Sequence, residues 1–149
     1  MSLERDIAML SVVPFFSGFD DEHLRLLAFS ADARSLAAEM VLYEKGQALR
    51  SAYVITEGLL TASDGEDSRD LKPGTLIGER ALIVPARAME TVRVAEPARA
   101  LQFKRTVFRR FLDEYPQMAA TIRARLASRV VRSAADYSRI AQRLGAIGD

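Results

Sequence analysis

The stretch PGTLIGERALIVPARAMETVRV, Pro73 to Val94, holds the residues of this chain best suited to binding chemistry. A Gly-Glu pair, Gly78-Glu79, opens it, and an arginine, Arg87, stands just before the strand-like Thr91-Val92-Arg93-Val94. Glycine lets a backbone approach a ligand closely. The first N–H groups of a helix attract anions, and a guanidinium pairs with anionic oxygens at two points. That order suits a small anionic ligand. A carboxylate, Glu90, follows the arginine at a place where an anion would sit. Strand alternation puts Glu90 on the face of Val92 and Val94, expected to be the inner one. A buried charge needs a partner, and Arg87 is the nearest candidate.

Catalytic chemistry finds little support. The 149 residues include no cysteine and a single histidine, His23. Disulfides, thiolate–zinc sites and thiol catalysis are excluded, and a His-based metal site or Ser-His pair is not expected. No nucleophile, base or metal cluster appears, so an enzyme is not expected and no cofactor is called for. His23 is expected on a solvated helix surface. A net charge of +1 gives no global field toward nucleic acid or a membrane surface. No apolar run approaches the roughly 20 residues of a membrane span, and the acidic N-terminus MSLERDIAML is unlike a signal peptide. A cytoplasmic protein is expected.

The elements that must position these residues follow from periodicity and turn signals. Leu3, Ile7 and Leu10 predict a short helix over 3–10. Asp20 is placed to cap a second helix over 21–29, with Leu24, Leu27 and Ala28 on one face. From about residue 33, short aliphatic or β-branched runs alternate with turns, and between Gly46 and Gly74 glycine recurs every seven to twelve residues. Such spacing predicts an antiparallel sandwich or jelly roll. Asp64-Gly65 is a hairpin signal, and Glu57-Gly58 and Pro73-Gly74 are read as further turns. Two strands are expected over 89–95 and 98–104, split at Glu96-Pro97.

The remainder is expected to be helical. Val107, Phe108, Phe111 and Leu112 share a face in a helix that Pro116 ends. A long helix over roughly 117–146 places Leu126, Val130, Ser133, Tyr137, Ile140, Leu144 and, at its end, Ile147 in a 4-3-4-3-4-3 spacing. That is either a stripe lying on the roll or a heptad seam between two copies; a homodimer is the expected outcome. The arginines of this helix, Arg123, Arg125, Arg129, Arg132, Arg139 and Arg143, fit the solvated flank of such a seam better than a nucleic-acid surface.

Three segments resemble the cyclic-nucleotide-binding domain family: VPFFSGFDDEHLRLLA, VLYEKGQALRSAYVITEGLL and PGTLIGERALI. The similarity spans nearly the whole chain. It implies a mainly β fold, an eight-stranded antiparallel jelly-roll with N-terminal helices (1–30), a β-roll (31–104) and C-terminal helices (105–149) that carry dimerisation, all in a single domain. The chain resembles a stand-alone sensor of the catabolite-activator type, without the winged helix, so direct DNA binding is not expected. The resemblance implies a cyclic nucleotide, cyclic AMP or cyclic GMP, held by a phosphate-binding cassette. The candidate residues are Ile77, Gly78, Glu79, Arg80, Ala81, Arg87, Ala88, Met89, Glu90 and Thr91. By family pattern Glu79 accepts the ribose 2′-OH and an arginine pairs with the phosphate. Counted back from Thr91-Val92, the arginine position holds Ala88, with Arg87 one place early and Met89 and Glu90 at the two small positions. The long helix is expected as a lid, with Arg123, Ala124 and Ala127 near the base. The alternative is a module that no longer binds ligand and regulates or scaffolds a protein partner not identified by sequence.

Overall fold

The computed structural model describes residues 3–125. The chain divides into two compact units, Met1–Glu114 and Tyr115–Asp149. In the first unit, α1 (Leu3–Ser11) buries Ile7 and Leu10, the apolar positions of its helical stripe. Pro14 opens a 3₁₀ turn, Pro14–Phe16, where its fixed φ suits a helical start. Asp20 caps α2 (Asp21–Ser30), its carboxylate accepting from the His23 backbone N–H at 2.8 Å. Phe15, Phe16, Phe19, Phe103, Phe108 and Phe111 form one chain of ring contacts with centroids 5.5–6.3 Å apart. Such ring pairs contribute about 0.5–1.5 kcal/mol each beyond area burial. They tie the N-terminal helices to the sheet and to α3 (Arg105–Glu114). His23 belongs to this cluster and is not a solvated surface residue. Its ring lies edge-on to Phe111 at 6.4 Å, Nδ1 contacts the Asp20 carboxylate, and the side chain is only 16% exposed.

Eight strands follow α2: β1 (Asp32–Leu36), β2 (Val41–Tyr43), β3 (Ala48–Leu49), β4 (Ser51–Ser63), β5 (Ser68–Leu71), β6 (Leu76–Ile77), β7 (Ala86–Arg87) and β8 (Thr91–Lys104). All pairings are antiparallel. The long strands β4 and β8 run together from Ser51↔Lys104 to Ser63↔Thr91. β1 and β2 add to β8, β5 and β6 add to β4, and β3 and β7 make a separate two-stranded sheet; the order β1-β8-β4-β5 does not close into a barrel. The interior holds Leu36, Tyr43, Ile55, Leu60, Ala62, Leu71, Ile77, Ala88, Val92, Val94, Ala98 and Ala100. The eight-stranded antiparallel roll with flanking helices is therefore the fold of the chain.

Two expected breaks are absent. Glu57-Gly58 does not turn the chain; β4 runs through it as one strand of 13 residues. Nor do Glu96-Pro97 split β8, which runs for 14 residues. Both signals mark one irregularity. The register slips on either side of Glu57 and Leu59, and pairing passes from Glu96 to Arg99. Gly58 takes φ +89°, and a Cβ there would lie 2.4 Å from the Pro97 carbonyl oxygen and 2.6 Å from Ala98 Cα. Pro97, with no N–H to offer, falls where the register skips it. This is a bulge at which two long strands bend together. The other turns are as expected: Asp64-Gly65 closes the β4–β5 hairpin, and Gly74 N–H donates to Ile55 O at 2.8 Å after Pro73.

In the second unit, residues 116–125 are helical, with Tyr115 O accepting from Met118 N–H at 2.9 Å. The seam positions Leu126, Val130, Ser133, Tyr137, Ile140, Leu144 and Ile147 lie outside the described residues. No helix among the described residues is long and apolar enough to cross a membrane.

Candidate functional site

Local chemistry shapes the site's first wall. β6 ends at Gly78, which adopts φ +75° and ψ 23° and opens a 3₁₀ turn, Glu79–Leu82. A Cβ at Gly78 would approach the Ser51 carbonyl oxygen to 3.0 Å. The left-handed corner and the close backbone approach both call for glycine. Beyond the corner, Ala81 and Leu82 are fully buried, while Glu79 is half-buried and Arg80 exposed.

The second wall is the segment 86–92. β7 pairs with β3 through Ala48↔Arg87 and Leu49↔Ala86. The ladder continues as Ala88 N–H donates to Gln47 O at 2.8 Å and Gly46 N–H to Ala88 O at 2.7 Å. Alternation along this ladder turns Ala88 into the core, at 5% exposure, and Arg87 outward. Arg87 Nη1 donates to Gly46 O at 2.9 Å. Between the walls lies a cleft of about 210 Å³.

Nine of the ten sequence-derived candidates line this cleft: Ile77, Gly78, Glu79, Arg80, Ala81, Arg87, Ala88, Met89 and Glu90. Thr91 does not. It alternates to the opposite face of β8 from Val92, and its Oγ1 accepts from Lys45 N–H at 3.0 Å in a separate depression with Thr61, Ser63 and Arg93. Arg123 and Ala124 belong to the second unit and Ala127 lies outside the described residues, so the walls named are those of the first unit.

Glu90 faces inward as expected, but its partner is Arg69 rather than Arg87. Arg69 Nη2 donates to Glu90 Oε1 at 2.7 Å and Nε to Oε2 at 3.3 Å. Register explains the choice. Arg69 and Val92 lie on either side of Ala62, on β5 and β8 respectively, and share its inner face. Glu90, two residues before Val92, reaches back across β4 to meet the guanidinium, whereas β7 turns Arg87 away. Arg69 is not among the residues the sequence singles out. Its signal was alternation: Arg69 stands two residues before Leu71, which is 1% exposed. Hydrogen bonding to Glu90 raises the Arg69 pKa further and outweighs its partial burial. Tyr43, on β2 opposite Val92, also lines the cleft. Burial, and secondly the Glu90 carboxylate, push its phenol up to about 12. Among the described residues no group of three or more His, Asp or Glu can hold a metal ion.

The Gly78 corner, the 3₁₀ turn and the edge of the antiparallel roll thus enclose one cleft. The family model for the cyclic nucleotide-binding domain matches residues 33–115, more than half of the chain, and the chain belongs to that family. A cyclic nucleotide-binding-like protein from Brucella abortus bv. 1 str. 9-941 is similar at 34% identity and TM-score 0.66, over 72% of this chain and 97% of that one. The N-terminal domain of a transcriptional regulator from Streptomyces coelicolor A3(2) superposes with TM-score 0.76 at 25% identity, over 84% and 94%. The Thermus thermophilus catabolite activator protein shares the fold, with TM-score 0.70 at 20% identity, over 86% of this chain and 63% of that one. No curated protein matches the chain.

Proposed function

We propose that this chain is a cytoplasmic regulatory sensor domain that binds a cyclic nucleotide, cyclic AMP or cyclic GMP, in the cleft between Gly78–Leu82 and residues 86–92, and signals through its C-terminal helix. The proposed activity is binding, not catalysis. The observation that carries it is the Gly78 corner. This family's chain brings Glu79 and a segment bearing Arg87 to opposite walls of one cleft, and Gly78 is the residue type the geometry there demands. Binding is expected to be weak. Ala88 occupies the inward position where the family pattern has an arginine, and Glu90 places a carboxylate within the lining. Losing one charge-assisted contact costs about 1.5–3 kcal/mol, a tenfold to hundredfold loss of affinity on the scale of about 1.4 kcal/mol per decade. The volume of about 210 Å³ is also below the about 300–1,000 Å³ usual for ligand pockets, so a nucleotide would extend beyond these walls.

A second reading is a domain that has lost its ligand and works as a dimeric interaction module for a protein partner. The bidentate Arg69–Glu90 pair favours it, because it neutralises the inner wall with the protein's own charges. Calorimetric titration with cyclic AMP and cyclic GMP separates the two. The sensor reading predicts saturable binding with micromolar or weaker affinity, and a thermal stabilisation of about 2.7 kcal/mol at 100 times Kd. No heat and no thermal shift at millimolar nucleotide would leave the interaction module.

A further inference from the structure

The three arginines that line the cleft are not equivalent. Arg87 is turned outward and bonded to the Gly46 carbonyl. Arg80 is exposed on the 3₁₀ turn. Arg69 comes from the inner face of β5, beside Ala62 and Leu71, and its guanidinium already holds an anion, the Glu90 carboxylate, in the two-point geometry that a phosphate also takes. The Arg69 side chain remains 59% exposed while Glu90 is 29% exposed, so the guanidinium is the accessible partner of the pair.

We propose that Arg69 is the anion-binding residue of the cleft and that Glu90 is its resting counter-ion, so that a bound phosphate takes the place of Glu90 on Arg69. This rests on the sensor reading above and adds the residue that holds the ligand's charge. The exchange has a physical logic. One anion replaces another, so the exposed Arg69 guanidinium keeps a two-point anionic partner whether the cleft is empty or filled. Glu90 then sets an affinity threshold, since an incoming anion must outcompete a carboxylate tethered next to the guanidinium. Arg87, singled out by its position in the sequence, is not required.

The test uses the full chain and two variants: Glu90→Gln, which keeps the side chain's size without its charge, and the double variant Arg69→Gln/Glu90→Gln, which also removes the guanidinium. Circular dichroism and thermal melts establish that both fold. Calorimetry with cyclic AMP and cyclic GMP is run beside phosphorus NMR of inorganic phosphate, which probes the anion site without base or ribose. Glu90→Gln is expected to tighten nucleotide binding at least tenfold, and the double variant to lose that gain. Phosphate broadening that appears in Glu90→Gln and vanishes in the double variant, with no nucleotide bound by any form, would sustain the Arg69 assignment and overturn the cyclic-nucleotide reading. Nucleotide bound equally by wild type and both variants would overturn the assignment and leave the sensor reading intact. A folded Glu90→Gln protein that gains neither ligand would also overturn it.

Discussion

At the scale of single residues, position in the sequence and direction in space part company. Ala88 and Arg87 are neighbours, yet the β3–β7 ladder sends one into the core and the other to solvent. A variant that supplies the inward guanidinium is therefore informative. Ala88→Arg with Glu90→Ala is expected to tighten cyclic AMP binding at least tenfold by calorimetry, and beyond the gain of Glu90→Ala alone. Because Ala88 sits in the core, the same variant is expected to melt at lower temperature without ligand, overpacking costing about 1–3 kcal/mol, and to regain stability when nucleotide is added. Tyr43 gives a second prediction. Its pKa is raised to about 12, mainly by burial. A raised folded-state pKa means that the fold holds the proton more tightly than the unfolded chain does. Its contribution is complete below the ordinary value of about 10 and is lost as pH rises from about 10 towards about 12. Ultraviolet phenolate titration, with Tyr43→Phe to assign the signal, should show Tyr43 ionising late; Tyr53, also raised by burial, is the reason the assignment needs the variant. Glu90→Gln should bring it earlier, because the carboxylate is the second cause of the shift. Ionisation of Tyr43 near 10 would contradict its burial.

At the scale of elements, the β4–β8 pair organises the molecule. One strand of 13 residues and one of 14 cannot stay straight and also serve both ends of the roll. The bend is placed at Gly58 and Pro97, where one residue tolerates positive φ and close approach and the other needs no ladder hydrogen bond. Gly58→Ala should be far more disruptive than its size implies. Its Cβ would meet backbone atoms at 2.4 and 2.6 Å, so the two strands must separate. The loss in a urea titration should clearly exceed the about 1 kcal/mol typical of point substitutions. Gly65→Ala, at a turn with nothing within 4 Å of the added Cβ, serves as control for positive φ alone. Equal losses in the two variants would mean that the close approach at Gly58 is not what holds the strands.

For the whole molecule, the proposed sensor signals through its C-terminal helix. The heptad positions of 117–146 lie outside the described residues, and their spacing in the sequence is what predicts a homodimer. Replacing Val130 and Ile140 with glutamate is expected to give monomers in sedimentation velocity at concentrations where the wild type is dimeric. A wild-type monomer at micromolar concentration would remove the dimer, and with it signalling by a shared helix. Direct DNA binding is not part of the proposed function, and the net charge of +1 offers no general attraction for nucleic acid.

What the sequence determined by itself was local. Asp20 caps because its carboxylate reaches an N–H three residues on. Asp64-Gly65 turns because its backbone tolerates the turn, and Gly78 bends because it lacks a Cβ. Each depends on a few adjacent residues, and so each was legible; the roll was legible from the spacing of its turns and from the family resemblance. β1, β3 and β7 were harder to read. The first has no clean alternation, and the other two are two residues long and exist only because they meet each other. The roles of Gly58 and Pro97 were also misread, because a bulge and a turn carry the same residues and only the partner strand distinguishes them. The tertiary structure alone decided which arginine meets Glu90. That choice depends on the joint register of β5, β4 and β8, which brings Arg69 to a carboxylate 21 residues away and leaves Arg87, three residues away, facing out. Partners across a sheet are chosen by the register of distant strands, and proximity along the chain carries no information about it.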